Sequence, residues 1–320
     1  MPPSPIIGHA RQLTELASDI ENNNIAHAYL FAGAAHLGKM TVAKWFSREL
    51  IMEGKTDEEK KGIDHALERL LHPDLLVLDQ LWIEDVCEDY DVIARSTNVP
   101  QQHRSKAPTM KTDTISIDDI RQVQARLQES GSGQHRFCLI RSVERMQPAA
   151  ATSLLKILEE PPAGRIFILT TESLSSLLPT IVSRARVMRF ERVHDRDIAA
   201  SFGGVSEEEA QFILHLAQGA PGTAKRLLGD PDRLREERLL HEKALSFWST
   251  TSLLDRLKIL TPLHERGKES DRFLLHLSLA LREMPAMSHH QERALMELLQ
   301  GLKTNAHRQL LAQNFAMQIS

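Results

Sequence analysis

The segment Gly33-Ala34-Ala35-His36-Leu37-Gly38-Lys39 constrains this 320-residue chain more than any other. It fits G-x-x-x-x-G-K, the loop whose backbone N–H groups cradle phosphate and whose lysine reaches the outer phosphates. Such a loop works between a buried strand and a helix N-terminus, where the amides and the positive end of the helix dipole point at the anion. The flanks supply both elements. Ala28-Tyr29-Leu30-Phe31-Ala32 is a short apolar run expected as a parallel strand, and Met40 to Ile51 sets Val42, Ala43, Phe46 and Leu50 on one helical face. A glycine turn carrying a chance lysine would not require that context. The residue after the lysine breaks the motif. A Ser or Thr hydroxyl normally stands there to hold the Mg²⁺ that bridges the phosphates, and here Met40 takes its place. Thr41 follows, but one helical step turns a side chain by about 100°, so it is no simple substitute.

Residues 6–190 alternate strand-like and helical patterns, as a parallel sheet covered by helices requires. The expected strands are Ala28–Phe31, Leu75–Leu78, Phe137–Ile140, Ile166–Thr170 and Val187–Phe190. Between the second and third lies a polar stretch, Ser96 to Asp113, expected as a mobile loop. A helix from Ser116 to Glu129 follows, with Asp118 and Asp119 in its first turn, and ends at Gly131-Ser132-Gly133. Beyond about Asp195 the strand patterns stop. The expected architecture is an α/β P-loop domain over 1–194, a small helical lid over 195–230 and an all-α domain over 231–320.

Composition narrows the function classes. With 42% hydrophobic and 26% charged residues the chain is an ordinary globular protein. No apolar run approaches the roughly 20 residues of a membrane span, and Met1-Pro2-Pro3-Ser4-Pro5 lacks a signal-peptide pattern. A cytoplasmic location, with no membrane partner, is expected. Two cysteines, Cys87 and Cys138, exclude a four-cysteine zinc module, and the fifteen histidines show no ligand-like spacing along the chain, so no metal is expected. The net charge of −4 gives no general attraction to DNA. His103, Arg104 and Lys106 form only a small basic group in a polar stretch, which solvent usually covers.

A P-loop ATPase also needs an acidic pair after its third strand, to hold the metal through water and to orient the attacking water. Arg141 and Ser142 follow Phe137-Cys138-Leu139-Ile140 instead, and Glu144 comes two residues late. A cation beside the metal position would oppose Mg²⁺.

The run from Ala149 to Pro162, Ala-Ala-Ala-Thr-Ser-Leu-Leu-Lys-Ile-Leu-Glu-Glu-Pro-Pro, resembles the AAA+ clamp-loader family that serves bacterial DNA polymerase III. Leu178-Pro179-Thr180-Ile181-Val182-Ser183-Arg184-Ala185 is similar to that family's serine-arginine-cysteine motif, with alanine in place of cysteine. His27-Ala28-Tyr29-Leu30-Phe31 and His72-Pro73-Asp74 also fit. The resemblance extends, more weakly, over the whole chain. Residues 52–71 depart from it: where many members carry a four-cysteine zinc module, this chain has a charged helical pattern, Asp57 to Leu71. The stretch from Gln80 to Asp113 is longer than the family needs.

The resemblance implies a ring-like pentamer in which each ATP lies between neighbours. It implies further that this chain belongs to the branch without a working site of its own, acting as a rigid stator. Arg184 would then complete the adjacent subunit's ATP site, since a guanidinium supplied in trans stabilises charge on the transferred phosphoryl group. Active members carry an arginine at the position of Gly222, within Gly219-Ala220-Pro221-Gly222-Thr223-Ala224, so that sensor too is lost. Lys225 and Arg226 follow it, on what reads as the solvated side of a helix. Gly33, Gly38, Lys39 and Thr41 are left as a degenerate nucleotide site, requiring no cofactor and suited to ATP or ADP held without hydrolysis. The expected partners are the clamp-loader ATPase (gamma/tau) and delta subunits, with the sliding clamp and primed DNA reached indirectly. The 231–320 helices would form part of the collar joining the pentamer. Two other readings stay open: an active gamma/tau-like ATPase subunit using Thr41 and Glu144, and an AAA+ adaptor such as a helicase loader.

Overall fold

The computed structural model describes residues 6–78, 97–99, 114–129, 131–284 and 288–319. Five strands, β1 (Ala28–Ala32), β2 (Leu75–Leu78), β3 (Arg136–Ile140), β4 (Arg165–Thr171) and β5 (Arg186–Arg189), form one sheet in the order β2-β3-β4-β1-β5. Every pairing is parallel, with Ala28 opposite Phe167, Leu75 opposite Phe137 and Phe137 opposite Ile166. The expected strands are therefore all present, shifted by at most one residue at an end.

Apolar runs form most of β1 to β4 because both faces of the sheet are covered there, whereas the edge strand β5 is Arg-Val-Met-Arg and only partly buried. Leu30, Leu76, Leu78, Cys138, Ile140, Phe167 and Leu169 point to one face. There they meet Ile120, Val123 and Leu127 of α4 (Ile117–Gln128) and Ala150, Leu154 and Leu158 of α5 (Pro148–Glu159). Tyr29, Phe31, Val77, Phe137, Leu139, Ile166 and Ile168 alternate to the other face. They pack on Leu16 of α1 (Ala10–Glu21) and on Val42, Ala43, Phe46 and Leu50 of α2 (Lys39–Ile51). Phe46 is wholly buried among Tyr29 and Phe137, and a side chain of that size contributes about 2–3 kcal/mol on leaving water.

Local rules set the helix ends. Thr56 and Glu59 form a capping box at the start of α3 (Asp57–Glu68), the helix that occupies the region lacking a zinc module. Asp119 closes a second box with Ser116, accepting from its backbone N–H at 2.8 Å. Asp74 of the His-Pro-Asp motif is buried and accepts from the backbone and hydroxyl of Ser132, which fixes the turn between α4 and β3. Arg186 on β5 ties α1 to the sheet through Asp19 and Glu15, each at 2.6 Å.

The expected mobile loop needs one correction. Thr97, Asn98 and Val99 lie against the outer edge of β2, the last strand of the sheet. Asn98 Oδ1 accepts from Val77 N at 2.7 Å, and its Nδ2 donates to Leu75 O at 2.6 Å and Leu70 O at 3.1 Å. Thr97 Oγ1 donates to Val77 O at 2.6 Å. An edge strand presents unpaired N–H and C=O groups, and a side-chain amide supplies both complements at once. The rest of Ser96–Asp113, including His103, Arg104 and Lys106, and most of the 80–113 stretch with Cys87, lies outside the described residues.

The chain divides into two compact units, 1–210 with 217–223, and 211–216 with 224–320. Residues of the expected lid, 195–230, contribute to both units. The second unit is all-helical. It uses part of α8 (Glu207–Ala217), part of α9 (Pro221–Leu228), α10 (Pro231–Ser249), α11 (Leu253–Ile259), α12 (Lys268–Glu283), α13 (His289–Leu302) and α14 (Arg308–Gln318). Its core gathers Phe247, Trp248, Phe273, Leu277, Leu298 and Phe315. Trp248 Nε1 donates to Leu277 O at 2.9 Å, satisfying the one polar atom of that ring. The two remaining short helices, α6 (Pro179–Val182) and α7 (Asp195–Ala199), belong to the first unit.

Candidate nucleotide-loop and arginine site

The loop between β1 and α2 has the geometry that its sequence requires. Gly38 caps α2 with a left-handed backbone, φ 89°, a conformation open to glycine at little cost. Gly33 sits where an added Cβ would lie 2.3 Å from the backbone oxygen of Phe190, so the loop leaves β1 in contact with the end of β5. Lys39 is buried, and its ammonium donates to Gly33 O and Ala34 O, both at 2.6 Å. Two further loop carbonyls are also engaged. His9 Nε2 lies 2.6 Å from Leu37 O, and Gly222 N donates to His36 O at 2.8 Å. Burial, together with the charge of Lys39, holds the His9 imidazole below its ordinary pKa, although the contact with Leu37 O works the other way. His9 is therefore held as the neutral ring.

Met40 and Thr41 diverge in environment. Met40 is partly buried and packs against the core cluster that contains Leu37, Val42 and Phe46. Thr41 is exposed on α2. The rotation of one helical step, anticipated from the sequence, thus separates the two side chains.

At the end of β3, Arg141 N donates to Leu78 O, and Ser142 adopts a left-handed conformation with its N–H on Thr170 Oγ1 at 3.2 Å. Glu144 lies in the short 3₁₀ turn that follows. Its Oε1 accepts from Glu172 N at 3.2 Å, and its Oε2 is buried without a hydrogen-bond partner.

Gly222 stands in close contact with His36. An added Cβ there would stand 2.7 Å from His36 O and 3.2 Å from the His36 Cβ. The backbone of residue 222 hydrogen-bonds the loop between β1 and α2, and a side chain at 222 would collide with that loop. The sequence pattern indicated which residue was lost; it held no signal for this contact.

Arg184 lies just after α6, before β5. Its Nη2 is 2.8 Å from Glu159 Oε1, its Nη1 donates to Thr180 O at 3.1 Å, and the side chain remains 34% exposed. A guanidinium placed so is restrained, yet free to reach beyond its own surface. Glu159 was not singled out from the sequence, because it belongs to the α5 run, 25 positions upstream. The structure does not gather Arg184 with Lys39 into one site; each has its own partners.

Among the described residues, no helix is long and apolar enough to cross a membrane. The family model described as "DNA polymerase III, delta subunit" matches residues 8–194. The DNA polymerase III subunit delta' of Pseudomonas aeruginosa is 28% identical over 221 residues, which cover 67% of this chain and 58% of that protein. The DNA polymerase III subunit tau of Bacillus subtilis is 24% identical over 274 residues, covering 82% of this chain and 43% of its own length. The chain thus spans about half the length of the curated relatives it matches. Among solved structures, a DNA polymerase III gamma-subunit-related protein from Thermotoga maritima superposes with a TM-score of 0.52 at 18% identity, over 95% of this chain and 98% of that one. That likeness establishes the fold.

Proposed function

The chain belongs to the DNA polymerase III, delta subunit family, and from that premise we propose that it is a delta-prime-like, non-hydrolysing stator of a bacterial clamp loader. In this reading Arg184 completes the ATP site of a neighbouring gamma/tau-type ATPase subunit. The helical 231–320 region serves as one part of the collar, alongside a delta subunit, and the assembly loads the sliding clamp onto primed DNA. The Gly33–Lys39 loop holds ATP or ADP, if anything, without turnover.

The observation that carries the reading is the placement of Met40. The position that should offer a hydroxyl to Mg²⁺ is instead a partly buried thioether packed against the core, and an apolar side chain there supplies no metal ligand. Arg141 and Ser142 after β3 support it, because neither is a carboxylate. So does Gly222, whose contact with His36 leaves no space for a phosphate-sensing side chain. The exposed Arg184 is a suitable donor in trans.

One observation favours the second reading, an active ATPase subunit. Glu144 Oε2 is buried without a hydrogen-bond partner, close behind the strand that carries the acidic pair in working sites. ATP hydrolysis by the purified chain, alone and then with its partner ATPase and delta subunits, separates the two. A silent chain that stimulates the mixture through Arg184 supports the stator. Turnover by the chain alone, abolished by Lys39→Ala, overturns it. Co-purification with a helicase instead of clamp-loader subunits would point to an adaptor.

A further inference from the structure

Three side chains with no pattern in the sequence meet inside the helical unit. His215 comes from the 211–216 stretch of α8, His241 from α10 and Glu283 from the last turn of α12. A ring nitrogen of each histidine and a carboxylate oxygen of Glu283 lie within 4.8 Å of one another. Glu283 Oε1 is 2.8 Å from His215 Nε2 and 3.2 Å from His241 Nε2. We propose that His215, His241 and Glu283 bind a divalent transition-metal ion, Zn²⁺ being the one best matched to two imidazoles and a carboxylate.

The distances suit such an ion. Zn–N and Zn–O bonds of about 2.0–2.2 Å in a tetrahedron place donor atoms roughly 3.3–3.6 Å apart. The two separations from Glu283 Oε1, 2.8 and 3.2 Å, fall just short of that range, and all three donor atoms lie within 4.8 Å of one another, so a small side-chain shift would seat an ion between them. Two of the three ligands have room to make it: the side chains of His215 and Glu283 are 28% and 39% exposed, against 7% for His241. His215 Nε2 is itself buried, so an ion would enter as the partly exposed His215 and Glu283 side chains move apart.

The surroundings of His241 are those of a ligand whose ring is held in one tautomer. His276 is wholly buried, with its Nδ1 3.4 Å from His241 Nδ1 and its Nε2 2.7 Å from Glu237 Oε2. Arg272 Nε donates to Glu237 Oε1 at 3.0 Å. With a metal on His241 Nε2, the proton of that ring sits on Nδ1 and is donated to His276 Nδ1. His276 then keeps its own proton on Nε2 and donates it to Glu237. Each ring nitrogen has a single role, and the chain ends on a carboxylate, the outer arrangement that orients metal-bound histidines. His215 and Glu283 meet His241 only through the fold, since they lie 26 positions before and 42 positions after it.

The test uses the full chain, stripped with a chelator and titrated with Co²⁺ alone, then Zn²⁺ alone. The expected result is one Co²⁺ per chain with the visible absorption of a low-coordinate site, displacement by Zn²⁺ and a rise in Tm with Zn²⁺. His215→Ala and Glu283→Ala should lose the absorption and the Tm rise. His276→Asn should weaken binding on the order of tenfold to a hundredfold. The double variant His289→Ala, His290→Ala, whose histidines are exposed on α13, should bind as the native chain does. X-ray absorption of the native Zn²⁺-loaded chain should show two imidazole ligands, a readout that does not depend on any variant folding. Absence of stoichiometric binding by the native chain overturns the proposal, as does undiminished binding by folded His215→Ala.

Discussion

Arg184 Nη2 lies 2.8 Å from Glu159 Oε1, and the pair joins the turn before β5 to the last residue of α5. Two stretches that the sequence presents separately, Ala149–Pro162 and Leu178–Ala185, are therefore in contact. Both side chains are partly exposed, at 34% and 48%, so the ion pair is worth about 1 kcal/mol or less. A restraint of that size orients the guanidinium while leaving it free to exchange the carboxylate for a phosphate of higher charge.

Arg184→Ala should leave the chain folded, with stability within about 1 kcal/mol of the native protein. Under the proposed role in trans, a clamp loader reconstituted with it should lose ATP turnover at the neighbouring site by about 10³–10⁵-fold, the scale of an arginine finger. Glu159→Gln should preserve that turnover. Steady-state hydrolysis by the assembled complex decides: unaltered rates with Arg184→Ala would remove the arginine from the mechanism.

Lys39→Ala should change the turnover of the complex little, because the Lys39 ammonium serves a loop without a metal-holding hydroxyl. Nucleotide binding by the isolated chain, followed by calorimetry, should weaken. Loss of turnover in the complex would show that this loop works as a motor.

Gly222→Ala should destabilise the first unit by roughly 1–3 kcal/mol, the usual cost of forcing a methyl group into filled space. The Cβ would collide with His36 O at 2.7 Å, and backbone cannot swing aside as a flexible side chain does. Urea unfolding measures the cost. A neutral substitution would mean that residue 222 does not press on the loop.

Asn98→Ala should cost about 1–3 kcal/mol, since Val77 N–H loses its amide acceptor and two carbonyls near the β2 edge lose a donor. Asn98→Asp is the sharper probe: it retains the acceptor for Val77 but cannot donate to Leu70 O or Leu75 O. Chemical denaturation should rank the two variants below the native chain. Equal midpoints would refute the edge-capping role.

Stability should decline in alkali. Burial, ahead of the neighbouring Asp19 charge, pushes the Tyr29 phenol up to about 12, though its bond from Ala26 N pulls the other way. A raised folded-state pKa favours the protonated form, so the contribution is complete below the unfolded value near 10 and is lost as pH rises from there to about 12. Two units correspond to roughly 2–3 kcal/mol. Burial pushes the Cys138 thiol up to about 12 as well, and it acts in the same direction from a lower starting point. Denaturant midpoints measured between neutral pH and about 12 should fall for the native chain and fall less steeply for Tyr29→Phe.

Strands β1 to β4 were legible because apolar runs form most of their length, and burial on both faces demands such runs; β5, Arg186-Val187-Met188-Arg189, carries only a two-residue apolar centre. The strand–loop–helix unit around Gly33–Lys39 was legible because its glycines and lysine stand at fixed spacing between an apolar run and an amphipathic one. Asn98 was not: a polar residue in a polar stretch carries no local sign that its amide will seal a sheet edge. The histidines failed for a related reason. His215, His241 and His276 come from three helices, and spacing along a chain reports only contacts within one element.

By itself the sequence determined the parallel sheet, the glycine-lysine loop between β1 and α2 with Met40 after its lysine, and the helical second half, since each rests on residues close together in the chain. Tertiary structure alone decided that Arg184 is held by Glu159, that Gly222 closes on His36 and that two histidines meet Glu283. These depend on side chains brought together by packing across long separations, where a difference of one ångström settles whether a contact, a clash or a ligand set results.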